Sequence, residues 1–291
     1  MKKTMLSLLA AAAISGATFT APAIAAGDHD EMKPVMIQLK DGVYQFHMAH
    51  YSSLVVITDE GVAIVDPNHE FRAKALRAEI AKLTDKKVVK VIYSHAHFDH
   101  SRGGKIFKDE GAEFISHENC TELLGRDLEK RVVQPDVTYE KEHRIELGGK
   151  VIDLKYFGSN DGQCNSVIHM PEDKVLMAVD WHLQGFVNLP GRLNTHDYVG
   201  SLNTLRRVHK ELEFDTVISG HMAKSSPAQL KEDWDFNEAL FKAVWDGMQA
   251  GKSIEELKKT VKLPDFSHWA MYEQNLPAHV ERMAYSIWHG H

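Results

Sequence analysis

Hydrophobic and polar residues alternate over the first part of the chain and then change their period. Between residues 36 and 66 the alternation is interrupted at 41–42 and 59–61 by Asp-Gly and Asp-Glu-Gly turn signals, a pattern typical of consecutive antiparallel strands. Apolar residues recur at helical spacing from 71 to 80, and a β-branched run follows at 88–93. The pattern predicts a β-meander followed by a helix and a buried strand.

Strand and helix patterns then alternate through the rest of the chain. The predicted helices lie at 100–109, 118–130 and 201–212, and the predicted strands at 112–116, 145–156, 166–170, 175–179 and 216–219. The last sixty residues predict helices with the core-facing residues Phe241, Val244, Trp245, Met248, Met283, Ile287 and Trp288. Two sheets packed face to face, with helices outside both, bury such elements most simply. We therefore expect an α/β fold, a four-layer αββα sandwich with C-terminal helices.

The first residues predict a targeting segment. Lys2 and Lys3 precede an apolar run at 5–13 that is too short to span a bilayer, and the small residues at 23–26 suit a signal peptidase. An uncleaved anchor helix is the alternative. We expect a periplasmic or secreted protein without membrane anchoring after cleavage. Its parts would be a signal peptide at 1–26, a metal-binding domain at 27–225 and a helical segment at 226–291 packed on the same domain.

The acidic balance of the mature chain narrows the class of partner. Removing Lys2 and Lys3 with the leader leaves 32 basic and 41 acidic residues, a formal charge near −9. Such a charge disfavours nucleic acid and anionic membrane surfaces, so a small-molecule substrate fits better. The two cysteines, Cys120 and Cys164, could form one disulfide in an oxidising compartment, but their spacing does not show whether they meet.

Four residues able to bind a metal stand within the six positions from His95 to His100, in the segment His-Ala-His-Phe-Asp-His. The segment follows a predicted strand and opens a predicted helix, and α/β proteins place their ligands at such strand ends. In an extended turn, side chains two apart face the same way, so His95 and His97 can share one ion while Asp99 and His100 point towards a second. The spacing predicts a dinuclear site.

Three further motifs make the chain resemble the metallo-β-lactamase superfamily over roughly residues 36–221. Asp66 ends the run Val-Ala-Ile-Val-Asp, Asp180 follows the apolar strand at 175–179, and His221 follows a strand and a glycine. The resemblance implies the αββα fold and a metal-dependent hydrolase with two zinc ions.

The resemblance also implies a role for each matching residue. Asp180 would bridge the two ions, and His221 would complete the ligands of the second ion together with Asp99 and His100. Asp66 would hydrogen-bond a ligand histidine or cap the helix that follows it, and one carboxylate can do both.

One motif departs from the family pattern. Where the family has a Gly-His-Thr-like turn, this chain has Ser-Asn-Asp-Gly at 159–162, without a histidine. Either Asp161 binds the first ion through oxygen, which would admit Mn or Fe beside Zn, or the first site is weakened or rebuilt. His117, which follows another predicted strand, could bind the first ion in place of the missing histidine or hydrogen-bond one of its ligands. Otherwise it is an ordinary residue before a helix.

The expected reaction is hydrolysis of a small-molecule ester, lactone or lactam by a hydroxide that bridges the ions. Asp99 would also pass a proton to the leaving group. His182, two residues beyond Asp180, would stabilise the developing oxyanion, or else be an ordinary surface histidine or one that hydrogen-bonds a metal ligand.

Substrate contacts are expected from two regions of the chain. His50 and Tyr51 belong to the meander, where they could also be ordinary strand residues, and His196 belongs to the loop at 181–196. Two other functions stay open, an iron-dependent oxidoreductase of the same fold and a metal-binding protein without catalysis.

Overall fold

Two β-sheets form the centre of the computed structural model, which describes residues 32–182, 185–190 and 197–290. The first sheet holds seven strands in chain order, β1 (Val35–Lys40), β2 (Val43–Met48), β3 (Tyr51–Thr58), β4 (Gly61–Val65), β5 (Val88–Ile92), β6 (Glu113–His117) and β7 (Val137–Tyr139). The second sheet holds β8 (Glu142–Leu147), β9 (Lys150–Lys155), β10 (Val167–Met170), β11 (Val175–Ala178) and β12 (Thr216–Ser219). These five also lie in chain order, with β12 and β8 at the edges.

Helices cover the outer faces of both sheets. The helices of the described chain, some of which pack on other helices, are α1 (Glu70–Leu83), α2 (Phe98–Ser101), α3 (Lys105–Glu110), α4 (Cys120–Gly125), α5 (Tyr198–Glu211), α6 (Pro227–Gln249), α7 (Ile254–Thr260) and α8 (Tyr272–His289). Among the described helices, none is long and apolar enough to cross a membrane.

Three apolar clusters show the layers. Leu54 of the first sheet and Ile152 of the second belong to one cluster between the sheets. Leu76 of α1 packs on the outer face of the first sheet, and Leu205 of α5 on the outer face of the second. The predicted αββα sandwich with C-terminal helices is therefore confirmed.

The C-terminal helices pack against each other and against the start of α5, where Tyr198 joins their apolar cluster. Val244 and Met283 are fully buried there, as predicted. Trp245 and Trp288 are not core residues, since they are 43% and 73% exposed. Their helical spacing predicted that both side chains face the core, but both lie at the edge of the buried face of their helix and reach solvent.

The parallel strand pairs place the predicted site residues at one end of the sandwich. β4 and β5 run parallel with Val65 opposite Ile92, so Asp66 and the residues after Ile92 emerge together. β11 and β12 run parallel with Ala178 opposite Ser219, so Asp180 and His221 emerge together as well. The amide of Ser52 donates to the carbonyl of Gly220 at 2.8 Å, which joins the two sheets at this end.

Several predicted elements have other bounds. The helix expected at 100–109 is divided into α2, a 3-10 turn at Arg102–Gly104 and α3. At the division the amide of Gly103 donates to the carbonyl of Asn68 at 2.6 Å, and the carbonyl of His100 accepts from the amide of Asn68 at 2.8 Å, so neither group bonds within a helix. The strand expected at 145–156 is the hairpin of β8 and β9, and β7 was not predicted.

The sequence left open whether the two cysteines meet. In the structure Cys120 and Cys164 form a disulfide.

Candidate metal centre

Seven predicted ligands meet at the end of the sandwich where these strands stop. They form two groups in which the possible ligand atoms lie within 4.8 Å of one another. The first group is His95, His97, Asp161 and Asp180, and the second is Asp99, His100 and His221.

Asp180 lies between the two groups and faces each with a different oxygen. Its Oδ2 is 3.3 Å from His95 Nε2 and 3.7 Å from His97 Nδ1. Its Oδ1 is 3.5 Å from His100 Nε2 and 3.0 Å from His221 Nε2. One carboxylate can therefore serve two ions, as the sequence motif implied.

Asp66 fixes the orientation of two of these imidazoles. It is fully buried, its Oδ2 lies 3.2 Å from His100 Nδ1, and it accepts the hydroxyl proton of Ser94 at 2.7 Å. Since that hydroxyl proton is already used, Ser94 Oγ must accept the bond of 2.8 Å from His95 Nδ1. Both histidines thus keep their Nδ1 protons and turn Nε2 towards the centre, which is the usual orientation of metal-binding imidazoles.

His221 is oriented by main chain from the meander. Its Nδ1 donates to the carbonyl of His50 at 3.0 Å, so its Nε2 faces the centre 3.3 Å from that of His100. The His50 side chain is exposed, and the contact of His50 with the centre is made by its main-chain carbonyl. Tyr51 lies beside the same group, where its hydroxyl donates to Asp99 Oδ2 at 3.0 Å and its ring packs on that of His221.

The electrostatics of the centre favour positive charge. Burial lowers the pKa of His100, but Asp180, Asp66 and Asp99 outweigh it and raise this pKa to about 10. Burial raises the pKa of Asp180, but His100 and His221 hold it well below its usual range. Without a cation, a proton therefore stays on His100 at neutral pH, and a bound metal ion would replace it.

The donor atoms fit a metal ion in chemistry as well as in charge. His95 Nε2 is buried and makes no aligned hydrogen bond to a described residue, although Asp180 Oδ2 lies only 3.3 Å away. Both atoms offer lone pairs, so neither can satisfy the other, whereas a cation between them would satisfy both. The nitrogen and oxygen donors suit zinc, and the two carboxylates of the first group also admit Mn or Fe.

Backbone geometry holds the bridging carboxylate in place. Asp180 has a φ of 66° and Asp66 a φ of 58°, in the left-handed region that non-glycine residues rarely adopt. Gly220 packs against Asp180 so closely that a Cβ there would be 2.8 Å from Oδ1. The glycine before His221 is therefore required by this close approach.

A cavity of about 560 Å³ opens beside the first group. It is lined by His95, Ala96, His97, Phe98, Leu123, Arg126, Ser159, Asp161, Gly162, Gln163, Cys164, Asp197 and Arg282. Its size is within the range of small-molecule sites. Asp161 is only 7% exposed, with Oδ2 3.7 Å from His97 Nδ1, so it borders both the cavity and the first group.

Two predicted residues do not join the centre. His117 Nε2 bonds to the carbonyl of Glu140 at 2.6 Å and its Nδ1 accepts from the amide of Asn119 at 3.1 Å. None of these partners is a predicted ligand, so His117 does not replace the missing histidine. His182 is buried, with Nδ1 bonded to Asp233 and Nε2 2.6 Å from Ser225 Oγ. Because both nitrogens are engaged, this placement does not support contact with a developing oxyanion.

Other residues were not found from the sequence or cannot be placed. His196 lies outside the described residues. Ser94 was missed, although its position directly before His95 was a local signal. Arg126 and Arg282, which line the cavity, were also not identified, and no local pattern connects Arg282 with the centre, since α8 lies far along the chain.

Comparison with known proteins agrees with this geometry. The family model described as the metallo-beta-lactamase superfamily matches residues 48–221. The 2,4-dinitroanisole O-demethylase subunit alpha of Nocardioides sp. (strain JS1661) is 24% identical over 234 residues, 77% of this chain and 66% of that protein. A metallo-beta-lactamase type 2 of Elizabethkingia meningoseptica is 26% identical over 199 residues, 63% of this chain and 77% of that protein.

Solved structures share the fold at lower identity. A metallo-beta-lactamase from Pontibacter korlensis has a TM-score of 0.63 at 18% identity, covering 71% of this chain and 99% of that one. The stereoselective inverting sec-alkylsulfatase from Pseudomonas sp. has a TM-score of 0.74 at 15% identity, covering 87% of this chain and 50% of that one. The chain thus spans about half the length of the sulfatase and just under two thirds of the demethylase subunit.

Proposed function

The chain belongs to the metallo-beta-lactamase superfamily, and we propose that it is a metal-dependent hydrolase of a small-molecule ester, lactone or lactam. The observation that carries this proposal is the position of Asp180, whose two oxygens face the two ligand groups separately. Such a bridge is what a two-metal hydrolytic centre requires.

The first ion would be held by His95, His97, Asp161 and Asp180, and the second by Asp99, His100, His221 and Asp180. Two bound zinc ions would lower the pKa of a water and polarise the bond to be cleaved, and Mn or Fe could replace zinc in the first group.

The chain's own side chains supply the proton transfer. Burial raises the pKa of Asp99, but His100 and His95 outweigh it and lower this pKa, so its carboxylate is ionised at neutral pH. The hydroxyl of Tyr51 fixes one oxygen of Asp99 at 3.0 Å. In the proposed reaction Asp99 takes the proton from the attacking water and returns it to the leaving group.

Metal content and turnover, measured on the same preparation, test this function. We expect about two metal equivalents per chain, and hydrolysis of at least one member of a panel of carboxylic ester, lactone, β-lactam and sulfate ester. A chelator should stop the reaction and zinc should restore it. The sulfate ester is included because one structural neighbour is named an alkylsulfatase.

The alternatives give different results in this experiment. Asp161 adds a hard oxygen donor to the first group, which favours iron more than a third imidazole would. Iron in the purified protein with oxygen consumption and no hydrolysis would indicate an oxidoreductase. Two ions without turnover of any substrate would indicate a metal-binding protein.

We also propose that the protein is exported, because Lys2 and Lys3, the apolar run at 5–13 and the small residues at 23–26 form a leader. Intact-mass analysis of protein from the periplasm or medium should give a chain that begins near Ala26 or Gly27. A mass that includes residues 1–26 would contradict export with cleavage.

A further inference from the structure

The hairpin turn between β2 and β3 supplies the main-chain group that orients His221. This turn consists of Ala49 and His50, with φ values of 50° and 65°, between the paired strands. A tight two-residue turn with positive φ at both positions suits glycine and asparagine better than alanine or histidine. Such backbone persists only where its surroundings hold it. Contacts from outside the hairpin must therefore fix this turn.

Arg72 of α1 supplies two such contacts. Its Nε donates to the carbonyl of Met48 at 3.3 Å, and its Nη2 donates to the carbonyl of Ala49 at 3.2 Å. The next carbonyl, that of His50, accepts the Nδ1 proton of His221 at 3.0 Å. Arg72 and a candidate metal ligand are thus bound to successive carbonyls of one short segment. A shift of the first two carbonyls would also displace the third.

The same guanidinium group lies on the ring of Tyr51. Its Cζ is 3.9 Å from the ring centroid, which is within the range of a cation–π contact. The Tyr51 ring packs on that of His221 with centroids 4.6 Å apart. The Tyr51 hydroxyl donates to Asp99 Oδ2 at 3.0 Å. Arg72 therefore holds a side chain that contacts two candidate ligands of the second group.

The charge of Arg72 acts in the opposite direction to these contacts. A guanidinium group has no acceptor atom, so Arg72 cannot itself bind a metal ion. A positive charge near a metal site repels the ion, so loss of this charge alone would raise metal affinity. Loss of ligand orientation would lower it, because the ligands would then have to be ordered when the ion binds. The sign of the change in affinity thus separates the two effects.

We propose that Arg72 is a positioning residue for the second ligand group, because it holds the hairpin turn and the Tyr51 ring. The inference rests on the proposed function, in which Asp99 and His221 bind the second ion. Two independent routes lead from Arg72 to these ligands, one through main chain and one through an aromatic ring. The second group therefore binds a metal ion more tightly with Arg72 than without it, in spite of the charge.

The zinc affinity of the second group tests this proposal. His97→Ala is the starting protein, since its first group should be empty, and one ion is then titrated against a competing chelator. Arg72→Met, added to this protein, keeps a long side chain but removes the donors and the charge. It should weaken zinc binding by about tenfold or more, the usual cost of losing a partner outside the ligand set. Arg72→Lys should restore most of the affinity, because an ammonium group can donate to the turn and lie on the Tyr51 ring.

Arg77→Met is the matched control for loss of an arginine from α1. Arg77 is half-buried like Arg72, but it pairs with Glu110 of α3 at 2.5 Å. Its loss should lower the Tm without changing zinc affinity. The visible absorption of cobalt(II) bound at the second group is a further measurement, since it depends on ligand geometry. We expect an altered spectrum in Arg72→Met and an unaltered one in Arg77→Met.

Two results would overturn the positioning role. One is zinc affinity and a cobalt spectrum that are the same with and without Arg72→Met, which would leave Arg72 a purely structural residue. The other is tighter zinc binding in Arg72→Met, which would show that the charge outweighs the contacts. If Arg72→Met does not fold, Arg72→Gln replaces it with the same expected direction, because an amide keeps a donor for the turn but loses the charge over Tyr51.

The two proposals fail in distinguishable ways. Hydrolysis by a protein whose metal affinity is independent of Arg72 would overturn the positioning role and leave the hydrolase intact. Absence of hydrolysis with Arg72-dependent metal affinity would overturn the hydrolase and support the positioning role. Two ions bound by His97→Ala would contradict the proposed ligand groups. Arg72→Met is then compared with the unmodified chain, where affinity for one of the two ions should still fall.

Discussion

Asp180→Asn is expected to lower hydrolysis by well over a hundredfold and to release at least one metal ion per chain. The substitution removes the charge that both ligand groups share and places an amide donor against an imidazole lone pair of His95 or His221. Loss of a partner outside the ligand set already costs about 10- to 100-fold in metal affinity or activity, so loss of the bridge should cost more. Elemental analysis after dialysis, together with turnover on the best substrate, measures the effect.

A second carboxylate supplies the control for this substitution. Asp153 is buried and paired with Arg144 at 2.8 Å in the second sheet, so Asp153→Asn should lower stability without changing metal content. His97→Ala separates the two groups, since it should empty the first group alone and leave the fold assembled, as circular dichroism would show. Full occupancy and full activity in Asp180→Asn would show that Asp180 does not bridge the ions.

Asp161→His is expected to raise zinc affinity at the first group and to weaken binding of Mn or Fe there. A neutral imidazole replaces a hard, charged oxygen, which shifts the preference of the group towards zinc. Asp161→Ala should weaken every metal at this group by about tenfold or more, beyond the effect of a lost outer partner. Titration with zinc and with manganese against a competing chelator gives both affinities.

The second group serves as an internal control for both Asp161 variants. Its ligands Asp99, His100 and His221 do not include Asp161, so the tighter or looser ion must be the one bound beside His97. If zinc affinity and stoichiometry are the same in the unmodified protein, Asp161→His and Asp161→Ala, then Asp161 is not a ligand. His117 could replace it only by giving up a hydrogen bond, because both of its nitrogens are bonded elsewhere.

Much of the fold follows from the sequence because its signals are local. Strand alternation, helical spacing and turn residues each depend on neighbours within a few positions. The bounds were less predictable, because His100 and Gly103 form backbone hydrogen bonds with Asn68 where the helical spacing would continue the helix. Trp245 and Trp288 were wrongly predicted as core residues for a similar reason. Helical spacing shows which residues share a face, but it does not show which neighbouring element covers that face.

The ligand set was predictable for a related reason. His95 to His100 lie in one short segment, and Asp66, Asp180 and His221 each follow a strand that ends at the same edge. Parallel pairing of β4 with β5 and of β11 with β12 then makes closeness in space a consequence of position in the chain. The positions of these residues in the sequence therefore already indicate that they form two ligand groups.

Only the tertiary structure decided which side chains face the cavity. His182 is two residues from Asp180, but the left-handed backbone of Asp180 turns the chain and His182 bonds to Asp233 and Ser225 instead. Arg282 is far from every candidate ligand in sequence, yet the contacts of α8 with α5 bring it to the cavity that His97 and Asp161 also line. Sequence by itself indicated most of the strands and the types and order of the candidate ligands. The orientation of each side chain depends on contacts between residues distant in the chain, and no local pattern encodes those contacts.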